Sequence, residues 1–216
     1  MIYYKILMWE GENMIESKRL ACRVAYGANC YFLTSDGESC VIDPSTPPPA
    51  FIDLSTVKYV LLTHSHFDHI LAIDEWVQGG AEVLIGESEL SYLPRADLNC
   101  YRQFFGIDRG YSGASRGLKD GDKIQLGGDI ITYRETPGHT PGSGIFISGR
   151  DYFVGDTVFA GGGYGRFDLP GGDYKKLFAS IDRILGWDES AILYPGHGEK
   201  TSLSEFKKSY RKYNGD

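Results

Sequence analysis

The chain has 216 residues, of which 42% are hydrophobic and 24% charged, a mixture typical of a globular protein with a substantial core. Its formal net charge is −7, so it lacks the basic excess that binding to nucleic-acid phosphates requires. It contains no run of about 18 apolar residues, which argues against a membrane-spanning segment. We therefore expect a protein that binds neither nucleic acid nor membrane.

The N-terminal segment, residues 1–13, differs in character from the rest of the chain. It has one early lysine and then acidic residues, with no small-residue cleavage site, so it does not resemble a signal peptide. Met14 could be the true start of the protein. Alternatively, the apolar stretch IYYKILMW adds an edge strand to a sheet.

The four cysteines predict a reducing environment. None of Cys22, Cys30, Cys40 and Cys100 belongs to a CxxC pair, which argues against a thiolate zinc site. Free cysteine behaves as a small hydrophobic residue, and three of the four fall in strand-like apolar stretches. We expect reduced thiols in a cytoplasmic protein.

Short apolar stretches rich in Val, Ile, Tyr and Phe alternate with turns that contain Gly or Pro, a pattern that predicts strands. In chain order the predicted strands are RLACRVA, CYFLTS, SCVID, KYVLLT, AEVLIG, KIQLGG, IITYRET, GIFISG, DYFVGD and AILYPG. Helical spacing of apolar residues is less frequent, and it predicts helices at about 69–79, 87–95, 173–186 and 202–213. The strands form two groups with no linker between them. This favours one domain, residues 1–216, with two sheets and outer helices.

Residues 98–118 form an aromatic and glycine-rich stretch, DLNCYRQFFGIDRGYSGASRG. Long loops of this kind often carry function, so the stretch could cap a pocket. It could equally be a helix and loop whose rings pack on the core. The sequence leaves both alternatives open.

Three of the five histidines lie within six positions, in the stretch THSHFDHI. The stretch follows the predicted strand KYVLLT, so His64, His66, Asp68 and His69 fall in the turn at the carboxyl end of that strand. Such a turn can present several ligands to one small volume. Imidazole nitrogens and carboxylate oxygens are ligands that zinc and iron accept.

The other two histidines and one further aspartate also stand at strand ends. His139 follows IITYRET, His197 follows AILYPG, and Asp156 ends DYFVGD. Imidazoles packed closely together would repel one another if protonated, so a bound cation is the expected reason for grouping them. Together these strand ends predict a metal centre.

The motifs THSHFDH, TPGHTPGS, GD at 155–156 and YPGH resemble the successive signature motifs of the metallo-β-lactamase-fold hydrolases. The resemblance covers residues 21–210. It implies an α/β fold, a four-layer αββα sandwich with the metals in a cleft along one edge between the sheets. It also implies that Asp43, in VIDPS, orients the metal-binding loop and is not itself a ligand.

Within that family, GDTVFAGGGYGRFDLPGGDYKKLFASI and YPGHGE look most like glyoxalase II and its shorter single-domain bacterial relatives. By this resemblance seven side chains hold two divalent metal ions: His64, His66 and His139 for the first ion, Asp68, His69 and His197 for the second, and Asp156 as a bridge. Zinc is the expected metal, and iron and manganese are alternatives. Arg166 stands where glyoxalase II typically places a basic residue near its substrate. We predict Arg166 and its neighbour Tyr164 as substrate contacts.

The resemblance implies a hydrolase in which a hydroxide bridging the two metals attacks a small thioester, with S-lactoylglutathione as the type substrate. Asp68 would orient the hydroxide and shuttle its proton. One alternative is a mononuclear-iron persulfide dioxygenase, with His64, His139 and Asp156 as its ligands. Another is a lactone hydrolase. Hydrolysis of β-lactams is disfavoured, because the thiolate ligand of class B lactamases has no counterpart at the strand ends. The oligomeric state cannot be predicted.

Overall fold

The computed structural model describes residues 15–20, 22, 24 and 26–214. The two interpretations of residues 1–13 therefore lie outside the described residues, and a single domain spanning 1–216 stays a prediction. None of the helices in the described part of the chain is long and apolar enough to cross a membrane.

Among the described residues, the first sheet contains six strands, which follow one another across the sheet in chain order. They are β1 (Glu16–Leu20), β2 (Cys30–Ser35), β3 (Glu38–Ile42), β4 (Val57–Leu62), β5 (Glu82–Gly86) and β6 (Ser115–Leu118). Strands β1 to β3 pair antiparallel, whereas β3 to β6 run parallel. Asp36 and Gly37 join β2 to β3 with φ angles of 46° and 80°, the positive values that a two-residue type I′ hairpin turn requires.

The second sheet also contains six strands, and a short ribbon lies beside it. The strands are β7 (Lys123–Leu126), β8 (Asp129–Glu135), β9 (Gly144–Ser148), β10 (Asp151–Gly155), β13 (Ile192–Pro195) and β14 (Thr201–Ser202), with β11 (Val158–Phe159) and β12 (Gly163–Tyr164) forming the ribbon. Strands β7 to β10 form an antiparallel meander. Strand β13 then pairs parallel with β10 and antiparallel with β14.

Within the residues that the structure describes, four α-helices cover the sheets: α1 (Ile73–Trp76), α2 (Tyr101–Phe105), α3 (Tyr174–Leu185) and α4 (Leu203–Asn214). The predicted helices 173–186 and 202–213 agree with α3 and α4 to within a residue at either end. The side chain of Asp173 begins α3 by accepting a hydrogen bond from the Lys176 amide at 3.1 Å, as an N-cap does.

Three predicted elements differ from the observed ones. The helix at 69–79 is only one α-helical turn, α1, with 3-10 turns on either side. The prediction of a helix at 87–95 is wrong, because only a 3-10 turn forms there, at Glu87–Glu89. Pro94 has no amide hydrogen for a helical hydrogen bond, so it does not extend the turn. Strand RLACRVA overlaps β1 only at Arg19 and Leu20, and residues 21, 23 and 25 lie outside the described residues.

Three buried clusters separate the layers of the molecule. The central cluster fills the space between the two sheets and includes Tyr31, Tyr133, Phe146 and Phe153. A second, which we call the outer core, lies under α1 outside the first sheet, where Trp76 is fully buried. The third packs α3 and α4 onto the second sheet. The order of layers is helix, sheet, sheet, helix, so the expected αββα sandwich is confirmed.

Strand direction brings six loops to one edge of this sandwich. Strands β3, β4 and β5 are parallel, so their carboxyl ends meet at the same edge of the first sheet. In the second sheet, β8, β10 and β13 run in one direction, so their carboxyl ends also share an edge. The two edges are tied together, since the Gly144 amide donates to the Thr63 carbonyl at 2.8 Å and the Tyr31 hydroxyl donates to the Pro195 carbonyl at 2.7 Å.

Candidate metal centre

The turn after β4 is held in shape by Asp43, the residue that follows β3. Asp43 has a φ of 53°, a left-handed conformation that aspartate adopts more readily than most other residues with a side chain. Its buried carboxylate accepts hydrogen bonds from the amide and the hydroxyl of Thr63, both at 2.8 Å, and from Nδ1 of His69 at 2.9 Å. Because Nδ1 of His69 is occupied as a donor, its Nε2 keeps a lone pair for a metal.

Three histidine nitrogens form a compact triangle. Nε2 of His64 lies 3.1 Å from Nδ1 of His66 and 3.2 Å from Nε2 of His139, and the last two atoms are 3.0 Å apart. Bonds of 2.0–2.1 Å to a tetrahedral zinc ion imply ligand separations of about 3.3 Å. The triangle therefore matches one face of a tetrahedral coordination shell.

Neighbouring groups orient two of these rings. The Thr63 hydroxyl donates to Asp43 and accepts from Nδ1 of His64 at 3.2 Å, and the backbone carbonyl of Arg166 accepts from Nδ1 of His139 at 2.7 Å. Burial, together with the positive charge that His139 could carry, lowers the pKa of His66 to about 3. A neutral imidazole is the form that binds a metal.

A second set of ligand atoms lies beside the first. Oδ2 of Asp68 is 2.9 Å from Nε2 of His197 and 3.9 Å from Nε2 of His69. Asp156 stands between the two sets: its Oδ1 is 3.4 Å from Nε2 of His69, and its Oδ2 is 3.6 Å from Nε2 of His197 and 3.8 Å from Nε2 of His139. All seven predicted ligands are thus brought together at the shared edge.

The donor set fits divalent cations. Two of its atoms, Nε2 of His69 and Oδ1 of Asp156, are buried and make no hydrogen bond. Buried polar atoms without partners are rare in folded proteins, and a cation would satisfy both. The described residues contain three groups of three His or Asp ligand atoms in which all atoms lie within 4.8 Å of one another.

Gly196 makes close packing of these ligands possible. A Cβ atom at this position would lie 2.2 Å from Oδ1 of Asp156 and 2.7 Å from Cε1 of His69. We expect Gly196→Ala to weaken metal binding about 10–100-fold, the usual effect of disturbing groups that position ligands. Competition with a chromogenic chelator measures the affinity. Gly163→Ala is the matched control, because its Cβ would meet nothing closer than 3.5 Å; an equal loss in both variants would contradict the expectation.

Glu89, which the sequence analysis did not single out, connects two metal-binding loops. The side chain is fully buried. One carboxylate oxygen accepts from the amide and the hydroxyl of Ser65, and the other accepts from the Gly142 amide at 2.9 Å. Glu89 therefore ties the loop of His64 and His66 to the loop that follows His139. No local pattern distinguishes it from Glu87, two residues earlier.

Replacing Glu89 with glutamine should lower the free energy of unfolding by about 2–3 kcal/mol, because the new amide NH₂ would face a donor that had a carboxylate partner. Urea denaturation measures this change. Glu87→Gln is the control: Glu87 is exposed and lies 3.7 Å from Lys119, so its loss should stay within about 0.5 kcal/mol. Equal stability of the two variants would rule out a bracing role for Glu89.

The side chains of the two predicted substrate contacts interact with other residues and not with the ligand atoms. The guanidinium of Arg166 is exposed and forms two 2.7 Å bonds with the carboxylate of Asp168, while only its backbone carbonyl reaches His139. The ring of Tyr164 packs on Phe178, with centroids 5.1 Å apart. Substrate contact by Arg166 and Tyr164 stays a prediction.

A cavity of about 310 Å³ opens onto the centre. Its floor includes His66, Asp68 and Asp156, and aromatic side chains form its walls. Within residues 98–118, helix α2 supplies Phe104 and Phe105 to these walls, whereas Tyr101 is buried in the outer core. The stretch therefore both packs on the core and covers part of a pocket.

Residues 23–197 match the family described as the metallo-beta-lactamase superfamily. The chain is 32% identical over 187 residues to the probable metallo-hydrolase YqgX of Bacillus subtilis, covering 82% of this chain and 87% of the relative. It is 31% identical over 203 residues to the hydroxyacylglutathione hydrolase GloC of Haemophilus influenzae, covering 86% and 92%.

Solved structures show the same fold. BLEG-1, described as a B3 metallo-beta-lactamase, superposes with a TM-score of 0.81 at 28% identity, covering 93% of this chain and all of that one. TTHA1623, solved in a di-iron-bound form, superposes with a TM-score of 0.74 at 30% identity, covering 88% and 96%.

Proposed function

The chain belongs to the metallo-β-lactamase superfamily, and from that premise we propose that it is a binuclear metal-dependent hydrolase of small thioesters. The proposal rests above all on the two adjacent sets of ligand atoms on either side of Asp156. The relative GloC, named a hydroxyacylglutathione hydrolase, supports the choice of thioesters, with S-lactoylglutathione as the first substrate to test.

Seven side chains of this protein would hold two cations, with His64, His66 and His139 on one side, Asp68, His69 and His197 on the other, and Asp156 between them. Bound divalent ions lower the pKa of water to about 7 and polarise a substrate carbonyl, so they supply a nucleophile at neutral pH. Zinc is the proposed metal. The di-iron form of TTHA1623 makes iron the first alternative, and the same donors also suit manganese.

Asp68 is the residue placed to handle the proton. Its side chain lines the cavity floor, and Oδ2 lies 2.9 Å from Nε2 of His197. Burial favours the protonated carboxyl, but the nearby His69 and His197 outweigh burial and hold the pKa of Asp68 below its usual value. Asp68 is therefore ionised at neutral pH. Its Oδ1, the oxygen outside the set of ligand atoms, can accept a proton from the attacking water and release it to the departing sulfur.

The reaction balances without a protein nucleophile. A water oxygen forms a bond to the acyl carbon and the carbon–sulfur bond breaks. One proton of the water goes to the sulfur through Asp68 and the other is released to solvent, so the products are a carboxylate and a thiol. The reaction would take place in the cytoplasm, a location supported by the four cysteines, all of which are free thiols in the structure.

The test is elemental analysis of the purified protein together with a panel of substrates: S-lactoylglutathione, a lactone, a β-lactam and glutathione persulfide. We expect two metal ions per chain and the highest kcat/KM with the thioester. Oxygen uptake with the persulfide and a single iron would instead identify a persulfide dioxygenase. A higher kcat/KM with the lactone or with the β-lactam, the class named for BLEG-1, would also overturn the proposal.

A further inference from the structure

The cavity beside the metal ligands is polar on its floor and aromatic on its walls. Four aromatic side chains form the walls, which we call the aromatic cup: Tyr26, Phe67, Phe104 and Phe105. Among the described residues, no lysine or arginine lines the cavity. A ligand in the cup therefore meets ring faces and edges, and meets charge only at the floor.

The cup is built directly on the metal-binding turn. Phe67 lies between His66 and Asp68 in the chain, and its ring centroid is 5.2 Å from that of Phe104 and 5.1 Å from that of Phe105. The ring of Tyr26 completes the cup, 5.4 Å from Phe105. Whatever fills the cup thus lies next to the reacting centre.

The cup is preformed, because Asn99 fixes helix α2 to the metal-binding turn. The carbonyl of Asn99 accepts from the Phe67 amide at 2.9 Å, and its buried side-chain oxygen accepts from the Tyr101 amide at 3.1 Å. Its amide group donates to the carbonyls of Leu93 and Arg109, both at 3.1 Å. These bonds fix the backbone of α2, which carries Phe104 and Phe105, beside the metal-binding turn.

The rings of the cup leave apolar surface uncovered. Phe104 is 50% exposed, Phe105 is 40% exposed and Tyr26 is 52% exposed, although all three contact one another or Phe67. Contiguous exposed apolar surface at a cleft marks a binding site. An apolar group of a substrate would cover this surface and gain its transfer free energy.

The nearby arginines are already paired. The guanidinium of Arg102 bonds to Asp108 at 2.7 Å, that of Arg109 bonds to the Leu71 carbonyl at 3.0 Å, and that of Arg166 is paired with Asp168. A charged group in the cup would lose water and would find no charged partner on the walls, where the hydroxyl of Tyr26 is the one polar group. The walls thus favour apolar groups, which cover the rings, and disfavour anionic ones.

We propose that the aromatic cup binds the acyl group of the substrate and selects an apolar acyl group about the size of a phenyl ring over lactoyl or acetyl. The inference rests on the proposed thioester hydrolysis and names its substrate class. The cavity volume of about 310 Å³ stands at the lower end of the range for ligand pockets, about 300–1,000 Å³. A ring fits there, whereas a large polar thiol such as glutathione must extend into solvent.

The test varies the acyl group on one thiol. Metal-loaded protein is assayed with S-acetyl-, S-lactoyl- and S-phenylacetylglutathione, and kcat/KM should be at least about tenfold higher for phenylacetyl than for lactoyl. Phe104→Ala and Phe105→Ala should each lower that ratio several-fold, by removing a ring from the wall. Phe51→Ala is the control, because Phe51 is 72% exposed and lies outside the cup, against Lys18. It should leave the ratio unchanged.

The outcomes separate the two proposals. Equal kcat/KM for the three thioesters overturns the acyl-selecting cup and leaves thioester hydrolysis intact. A large fall in kcat/KM when S-phenylacetyl-N-acetylcysteamine replaces S-phenylacetylglutathione has the same consequence, because the enzyme would then select the thiol and not the acyl group. Failure to hydrolyse any thioester overturns the proposed function. Calorimetry with phenylacetate and lactate then tests the cup without turnover. Tighter binding of phenylacetate than of lactate, with the difference lost in Phe105→Ala, supports the cup. Equal binding of the two acids overturns it.

Discussion

Asp68→Asn is expected to lower kcat for thioester hydrolysis by about 10²–10⁴-fold, the usual contribution of a positioned proton acceptor. Asparagine has the same shape as aspartate, and its carbonyl oxygen can still occupy the position of Oδ2, 2.9 Å from Nε2 of His197. It cannot accept a proton from the attacking water. The fold should therefore persist while the chemical step slows.

This experiment needs kinetics and metal analysis on the same samples, because Asp68 is also a proposed ligand. Steady-state kcat is measured at saturating substrate, and elemental analysis shows how much metal each variant retains. Asp74→Asn is the matched control: Asp74 is exposed and lies 3.7 Å from Arg109, so its kcat should equal that of the wild type. A kcat within about threefold of wild type for Asp68→Asn, at full metal content, would exclude Asp68 as the proton acceptor.

Metal removal is expected to have the largest effect on stability. A ligand that binds only the folded state, present at about 1,000 times its Kd, adds about 4 kcal/mol to the free energy of unfolding. For a chain of this length that corresponds to roughly 8–16 °C in Tm. The physical reason is that Nε2 of His69 and Oδ1 of Asp156, both buried, make no hydrogen bond unless a cation binds them. Thermal unfolding with zinc and with a strong chelator measures the difference.

Two histidine variants test how much each proposed ion contributes to this stabilisation. His139→Ala removes one corner of the nitrogen triangle, and His197→Ala removes a member of the second set. Each should lower the metal content by about one ion per chain and should reduce the metal-dependent rise in Tm. A wild-type Tm that does not respond to metal, or a stoichiometry that is unchanged in both variants, would contradict a binuclear site built from these residues.

Much of the fold could be predicted from local sequence patterns. The stretches CYFLTS and DYFVGD coincide with β2 and β10 to within a residue, because alternating apolar residues and terminal turn residues are local signals. The prediction of a helix at 87–95 was also based on the local spacing of apolar residues, and it was wrong. Periodicity there reflects the burial of Leu93 and Ala96 under the outer core, whereas Pro94 prevents the helix.

Local patterns in the chain were enough to identify the side chains at strand ends, and therefore the residue types that could serve as ligands. Which of those strand ends meet depends on how the two sheets pack together. The distance between Oδ1 of Asp156 and Nε2 of His69 depends on the order and direction of strands in two different sheets, and that pairing is invisible to local periodicity. The bond from Gly142 to Glu89, 53 positions apart, and the aromatic cup arise in the same way. The roles of these residues depend on burial and on contacts between residues that are distant in the sequence, and only the folded chain brings such residues together.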